Sequence, residues 1–271
     1  MVVLLSWNVH CVPVAGGCPT SHIKRVADYA ARLATEHGVS VFVLNEIFVE
    51  SMRTAILGAL RTKTGHVWNA SPIANSNHVY PLAGSGVVVA WRSDGHNAVR
   101  KQGHMHEMTY KNCCQFDCLA HKGGLHVPFA TSAGHSFHVV ATHMQALELP
   151  LICSGVRAKQ TSALGGMVNR LEAAGTIPLS EPVVFAGDFN EASSKSFEAR
   201  LGATWVQCAE GDCRTHTSGG EFDHFYTRQR SPKACTVQPF RMVRVNGMSN
   251  PSDHVPIRTK LAFPAISPRT P

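Results

Sequence analysis

Apolar positions along the chain switch repeatedly between two rhythms. Val2 to Leu5 is a short continuous apolar run, the pattern of a buried strand. Over residues 21–37, Ile23, Val26, Ala27, Ala30, Leu33 and Ala34 fall on one face at helical spacing. Thr20 or Ser21 is placed to cap that helix and Gly38 to end it. Val39 to Leu44 reads as a strand buried on both faces. Residues 51–61 predict a second helix, and strands are expected at Gly86–Trp91, Gly124–Ala130 and Ser136–Thr142. Residues 155–174 read as a long helix with Ala163, Leu164, Met167 and Leu171 on its inner stripe. Val183–Ala186, Phe222–Thr227 and Val255–Phe263 complete the clear strands.

Strands outnumber helices and mix apolar runs with alternation, which predicts two packed sheets with helices outside. No repeat or linker interrupts the pattern, so residues 1–263 are read as one domain and residues 264–271, with three prolines, as a loose tail. At 271 residues the chain can bury a core without help from a metal or a disulfide. With 44% hydrophobic and 16% charged residues it is not a disordered chain, a coiled coil or collagen. No apolar run approaches the ~20 residues of a transmembrane helix.

Charge narrows the partners without choosing among them. A formal net charge of +7 favours nucleic acid, phosphate esters or acidic membranes, and the 16 histidines would add to it below pH ~6.5. The N-terminus lacks a basic segment followed by a long apolar one, so no signal peptide is expected and the chain as written reads as cytoplasmic. The nine cysteines, at 11, 18, 113, 114, 118, 153, 208, 213 and 235, form no zinc-type pair of pairs. They are read either as scattered thiols or as the disulfides of a secreted domain whose leader was removed.

Polar groups cluster where apolar strands end. Asn8 follows the first strand, Glu46 ends Val41-Phe-Val-Leu-Asn-Glu, and His143 ends Val139-Val-Ala-Thr-His. Asp188 and Asn190 end Val183-Val-Phe-Ala-Gly-Asp-Phe-Asn, and Asp253 and His254 sit in Ser252-Asp-His-Val-Pro. Any one of these could be a turn or cap residue. Five together point to a site at one end of the strands. Glu, Asp and Asn offer oxygen ligands suited to a hard cation such as Mg²⁺. Asp188 and Asn190, two apart, would share a face if the segment is extended. Two imidazoles can move protons near neutral pH, and no protein nucleophile stands out. The set fits metal-assisted attack of water on a phosphodiester.

Asn8, Asn45-Glu46, Thr142-His143, Gly187-Asp188-Phe189-Asn190 and Ser252-Asp253-His254 occur in the order found in the deoxyribonuclease I-like superfamily of endonucleases, exonucleases and phosphatases, which the chain resembles from residue 2 to about 262. The resemblance implies a four-layer α/β/β/α sandwich of two mixed sheets and a Mg²⁺-dependent phosphoesterase, with Mn²⁺ or Co²⁺ as possible substitutes. Leu44-Asn-Glu-Ile-Phe, Thr142-His-Met-Gln-Ala and Cys114-x-x-Asp117-x-Leu119-x-x-Lys122-Gly123 further resemble segments of bacterial neutral sphingomyelinases, as do Arg157 and Gln160 at the start of the long helix.

The roles implied are these. Glu46 resembles the metal-binding glutamate, with Asn8 close by. Asp188 and Asn190 look like the pair that holds the scissile phosphate and a second metal or activated water. His254 resembles the general base, beside Asp253, and both belong to the implied metal site. His143 resembles the histidine at the phosphate and leaving group. Asp223 looks like the aspartate that orients the base, although Phe222 and His224 flank it here. Lys122 and Arg157 are candidates for touching substrate or ordering the site. Cys114 and Cys153 occupy the places of a disulfide in the secreted members. Cys11 with Cys18 and Cys208 with Cys213 are further candidate pairs, leaving Cys113, Cys118 and Cys235 over.

One departure concerns membranes. The secreted members carry an aromatic-tipped hairpin before Ser-Asp-His, whereas residues 228–250 here hold a single aromatic, Phe240, with Arg228, Arg230, Lys233, Arg241 and Arg244. The expectation is hydrolysis of sphingomyelin to ceramide and phosphocholine by a monomer that meets its phospholipid by peripheral contact. The alternatives are a nuclease of the same superfamily, for which nucleic acid is the partner, and a binding module that kept the fold.

Overall fold

The computed structural model describes residues 1–12, 18–76, 84–146, 155–192, 195–211, 213–230 and 234–265. One sheet holds β1 (Val2–Asn8), β2 (Val41–Asn45), β3 (Trp68–Ala70), β4 (Val88–Arg92), β12 (Thr236–Val237), β13 (Arg241–Met242) and β14 (Ile257–Ala262). The other holds β5 (Val99–Lys101), β6 (His106–Thr109), β7 (Gly123–Thr131), β8 (Ser136–His143), β9 (Val183–Asp188), β10 (Thr204–Trp205) and β11 (Asp223–Arg228). Their orders are β12-β14-β1-β2-β4-β3, with β13 also on β14, and β10-β11-β9-β8-β7-β5, with β6 also on β7.

Each sheet has one parallel pair at its centre, β1 with β2 and β8 with β9; the other pairings are antiparallel. A parallel neighbour needs a crossover. Helix α1 (Thr20–His37) makes the first and α3 (Val156–Ala173) the second, while α2 (Glu50–Thr64) and α4 (Lys195–Leu201) complete the outer layers. Gly38 ends α1 in the left-handed conformation, donating its N–H to Ala34 O, as its lack of a Cβ permits. The expected cap by Thr20 or Ser21 does not form. Pro19 holds the N-cap position, and its carbonyl accepts from His22 and Ile23.

Packing follows the two-residue period of the strands. Leu5, Trp7, Phe42 and Leu44 face Tyr29, Leu33, Ile56 and Leu60 of α1 and α2. Leu4, Val41, Val43 and Val89 meet Leu125, Val127, Val139, Val184 and Phe225 between the sheets. Val140, Phe185 and Tyr226 lie under Leu164, Val168, Phe197 and Leu201 of α3 and α4. The result is the α/β/β/α sandwich that the resemblance implies. Each such apolar side chain taken from water contributes ~1.5–3 kcal/mol.

Six strands of two to four residues were not legible in the chain: β3, β5, β6, β10, β12 and β13. They exist because a longer neighbour offers a hydrogen-bonding edge. Phe240 is fully buried in the layer between the sheets, so the single aromatic of residues 228–250 does not protrude. Arg228 is not a loop cation either; it is buried at the end of β11, bonded to Asn169 Oδ1 and Glu172 Oε2. Of the expected tail, residues 266–271 lie outside the described residues, as does Lys233.

Disulfides join Cys11 to Cys18 and Cys208 to Cys213. Cys113 and Cys118, left over in the sequence reading, also pair. Cys114 is disulfide-bonded, while Cys153, its expected partner, lies outside the described residues. Cys235 is free and buried.

Candidate functional site

The strand period that builds the core also builds the site. On β1, residues 2 and 4 face the other sheet, so Asn8 does too; the same parity puts Asn45, His143, Asp188 and Asp223 into the gap. In-register pairing brings them level: Asn8 opposite Asn45, His143 opposite Asp188, and Asp223 opposite Asp188. At this end of the gap, apolar side chains give way to amides, carboxylates and imidazoles.

Asn8 Nδ2 donates to Glu46 Oε1 at 3.0 Å and to Asp188 Oδ2 at 2.9 Å, which ties the two sheets together. Asn45, for which no separate role was read from the sequence, makes a second tie: Nδ2 donates to Thr142 O and Oδ1 accepts from Asp188 N. Glu46 leaves β2 with φ of 64°, in the left-handed region, and this turns its carboxylate toward Asn8. Ser252 Oγ donates to Asn8 O and accepts from His254 N, anchoring the Ser-Asp-His segment over β1. His254 Nδ1 lies 2.7 Å from Asp223 Oδ2, and its Nε2 is 3.8 Å from Asp188 Oδ2. His143 Nε2 is 3.7 Å from the same oxygen.

The site sits at the base of a cleft of about 360 Å³ lined by His10, Glu46, Asp188, Asn190, Phe222 and His254, among others. His143 lies deeper, 2% exposed, and does not line it. Asn190 does not continue an extended segment, as its spacing from Asp188 suggested. The strand stops at Asp188, Asn190 has φ of 54°, its N–H donates to Asp188 Oδ1, and its Nδ2 donates to Met144 O. Asp253 occupies the rim between two histidines that the sequence did not single out: His10 Nδ1 at 2.8 Å and His216 Nε2 at 3.3 Å. His10 was within reach, two residues past Asn8, whereas His216 has no local signal.

Lys122 is buried, its Nζ donating to Asp117 Oδ2 at 2.9 Å and Met144 O at 2.8 Å. Asp117 Oδ2 also accepts from Ala146 N, and Gln145 bonds both backbone groups of Cys114. Gln160 Oε1 receives Gln145 N. The Asp117–Lys122 and Arg157–Gln160 segments thus meet at the loop after β8. Arg157 itself stays apart from the carboxylates, ion-paired through Nε to Glu191 Oε2 at 2.7 Å.

Electrostatics reflect crowding of acids around one imidazole. Burial raises the Glu46 carboxyl, against the Asn8 hydrogen bond and the Lys122 charge. Burial also raises Asp188, with Asp223 adding to the effect and His254 opposing it. Burial works against charge on His254, but Asp223 and Asp188 overcome it and push its pKa up to about 10. Burial, then the charges of Lys122 and His254, holds His143 well below its usual value and disfavours its charged form. At Asp253 burial is outweighed by the His10 hydrogen bond and the neighbouring imidazoles, which hold the carboxyl below its usual range.

The donor set fits a divalent cation. Glu46 Oε2 and Asp223 Oδ1 are buried without a hydrogen-bond partner among the described residues. An unpaired buried carboxylate oxygen is costly, and hard oxygen donors suit Mg²⁺. Ligand atoms of Asp188, Asp223 and His254, and of His216, Asp253 and His254, lie within 4.8 Å of one another.

A model of the Endonuclease/Exonuclease/phosphatase family matches residues 5–254, which spans every group just described. The chain belongs to this family. No curated protein matches it by sequence. Among solved structures, a beta toxin from Staphylococcus aureus superposes with a TM-score of 0.74 at 18% identity, covering 96% of this chain and 99% of that one. Sphingomyelinase C from Streptomyces griseocarneus gives 0.68 at 16% identity, covering 96% and 99%. The catalytic domain of human nocturnin gives 0.66 at 14%, covering 97% and 94%. These likenesses establish the fold of the family member.

Proposed function

We propose that this member of the family is a divalent-metal-dependent phosphodiesterase that hydrolyses sphingomyelin to ceramide and phosphocholine. The observation that carries the reading is the convergence of Glu46, Asp188, Asp223 and His254, from four separate segments, at one cleft between the sheets. A beta toxin double mutant of the same fold, with a TM-score of 0.71 at 18% identity, has been solved with bound magnesium ions. Here Glu46, with Asn8 beside it, would hold Mg²⁺, and Asp188, Asn190, Asp253 and His254 are the further candidate ligands; Mn²⁺ or Co²⁺ offers the same hard-donor chemistry. Bound there, the ion supplies charge to neutralise the phosphoryl oxygens and ease departure of the alkoxide.

The chain's own residues do the rest. Asp223 accepts from Nδ1 of His254 and orients the ring; the surrounding acids favour its protonated form, and with a cation held among them that preference would fall and let Nε2 take a proton from water. Asp188 is held by Asn8, Asn45 and Asn190, so its carboxylate is set in advance toward the phosphate. His143, behind Asp188, positions that group. Lys122 orders the loop after β8 and adds a buried positive charge near Glu46 and Asp188. The lipid assignment is supported by the Asp117–Lys122 and Gln145–Gln160 contacts, which use the segments that resemble those of sphingomyelinases. No helix among the described residues is long and apolar enough to cross a membrane. In this reading the protein meets its lipid by peripheral contact, as a monomer. The disulfides suit an oxidising compartment and favour secretion over the cytoplasm.

A choline-release assay on sphingomyelin tests the reading. Release is expected with Mg²⁺ and lost with chelator. Nicking of plasmid DNA, abolished in Glu46→Ala, with no choline released would assign the same cleft to nucleic acid instead.

A further inference from the structure

A second concentration of charge lies toward the edge of the first sheet, on β13 and β14, where β12 also pairs. Ile257 and Leu261 of β14 face the layer between the sheets, so the alternate residues Arg258 and Lys260 point to the opposite side. Arg241 of β13 stands directly opposite Arg258 in the antiparallel register. Together with Gln238, Pro239 and Thr259 these three cations line a cavity of about 330 Å³ that shares no lining residue with the catalytic cleft. The floor is pinned: Gln238 N donates to Lys260 O at 2.9 Å, and Thr259 Oγ1 donates to Gln238 O at 2.6 Å.

Like charges directly opposite one another on paired strands repel. Burial and the charge of Arg241 both push the Arg258 guanidinium below its usual value, with no acid offsetting them. Among the described residues, no carboxylate lies within 4.0 Å of Arg258 or Lys260. Glu210 reaches only Arg241, at 4.0 Å, with both side chains open to water. Three converging cations, two of them without an acid, in a polar cavity of this size make a receptor for one compact anion. Two guanidinium groups offer forked donors matched to phosphate oxygens. No aromatic residue lines the cavity, so bases have nothing to stack on.

The geometry points to Arg241, Arg258 and Lys260 as a binding site for a single phosphate group, carried by an acidic phospholipid headgroup or by a free phosphate. The site stands independently of the reading of the cleft, since neither its residues nor its chemistry enter hydrolysis. At a membrane it would hold the protein by one headgroup, where the single aromatic of residues 228–250 is buried and inserts nothing.

The test uses the intact protein, the pair Arg258→Gln with Lys260→Gln, and the milder Arg241→Gln at an exposed position in case the pair does not fold. A charge-matched control carries Lys159→Gln with Arg170→Gln, both exposed on α3 under the other sheet. Sedimentation with vesicles of phosphatidylcholine, with and without phosphatidic acid, reads the lipid source; titration with inorganic phosphate, followed by amide chemical shifts of β12 to β14, reads the free one. Vesicle affinity is expected to fall roughly fivefold per removed charge, about 30-fold for the pair, while the control keeps its affinity. Shifts at these strands with phosphate alone, lost in Arg241→Gln, would support the site with a soluble anion as its ligand. Equal loss in the control would overturn the proposal, because a diffuse field would then explain binding. So would undiminished binding of both probes by the variants, or duplex DNA losing affinity in them while phosphatidic acid does not.

Discussion

At the scale of single residues, His254 shows how position decides chemistry. Asp223 reaches one ring nitrogen and Asp188 faces the other, so the imidazole is fixed in orientation between two acids. Replacing Asp223 by Asn removes the charge that orients the ring. Asp223→Asn is expected to lower kcat about a thousandfold with KM little changed, measured by choline release; a loss under tenfold would contradict an orienting role. The neighbours Asp253 and Lys122 have quieter duties. Asp253 joins His10 and His216 at the rim, and Lys122 braces Asp117 and Met144 O. In the sequence Asp253 was read with the metal site and Lys122 as touching substrate or ordering the site, and nothing local told the rim residue from the buried one.

At the scale of elements, β8 and β9 lie so close at Gly187 that a Cβ there would overlap Thr142 O, and Gly187 has φ of 141°. Gly187→Ala is expected to destabilise the fold by about 2–3 kcal/mol and to displace Asp188. Urea unfolding would show the first effect and lowered kcat the second, whereas an unchanged midpoint would refute the close approach. The outer face of the second sheet carries a different sensitivity. His126 Nε2 is 2.8 Å from His138 Nδ1, His138 Nε2 is 2.8 Å from Glu181 Oε2, and the His106 ring packs on His126.

Burial, with the charges of His138 and His106 adding, lowers His126 to about 3. Burial lowers His224 to about 4, against hydrogen bonds to the Glu191 and Glu221 backbone and the nearby Asp188. Unfolded histidines titrate near ~6.5. Below that the unfolded chain takes up protons that the folded chain refuses, so stability falls as pH drops toward the folded values. The urea midpoint should therefore decline from about pH 6.5 down to about pH 4, and His126→Gln should flatten part of the slope. A flat profile in the parent would show that these imidazoles are not held neutral. Legibility also varied with element length. The long strands and α1 to α3 announced themselves by period. The two-residue β10, β12 and β13 owe their existence to β11 and β14, and no window of sequence holds a partner's hydrogen bonds.

At the scale of the molecule, the site spans both sheets, so a ligand there should brace them against each other. Mg²⁺ is expected to raise Tm, with about 2.7 kcal/mol gained at a hundredfold excess over its Kd; Glu46→Gln should remove most of the shift. A thermal melt with and without Mg²⁺ measures this, and an equal shift in the variant would move the ion away from Glu46.

The sequence by itself determined which segments alternate, which helices cover them, and that Asn8, Glu46, His143, Asp188 and His254 stand where apolar strands end. Those features are local, set by side-chain period and by the points where apolar runs stop. Only the tertiary structure decided which of these groups touch. Asn45 became a tie between sheets, Asn190 a left-handed turn, His10 and His216 the flanks of Asp253, and Arg258 a partner of Arg241. Strand register and sheet-to-sheet packing set those distances, and both are fixed by contacts between residues far apart along the chain.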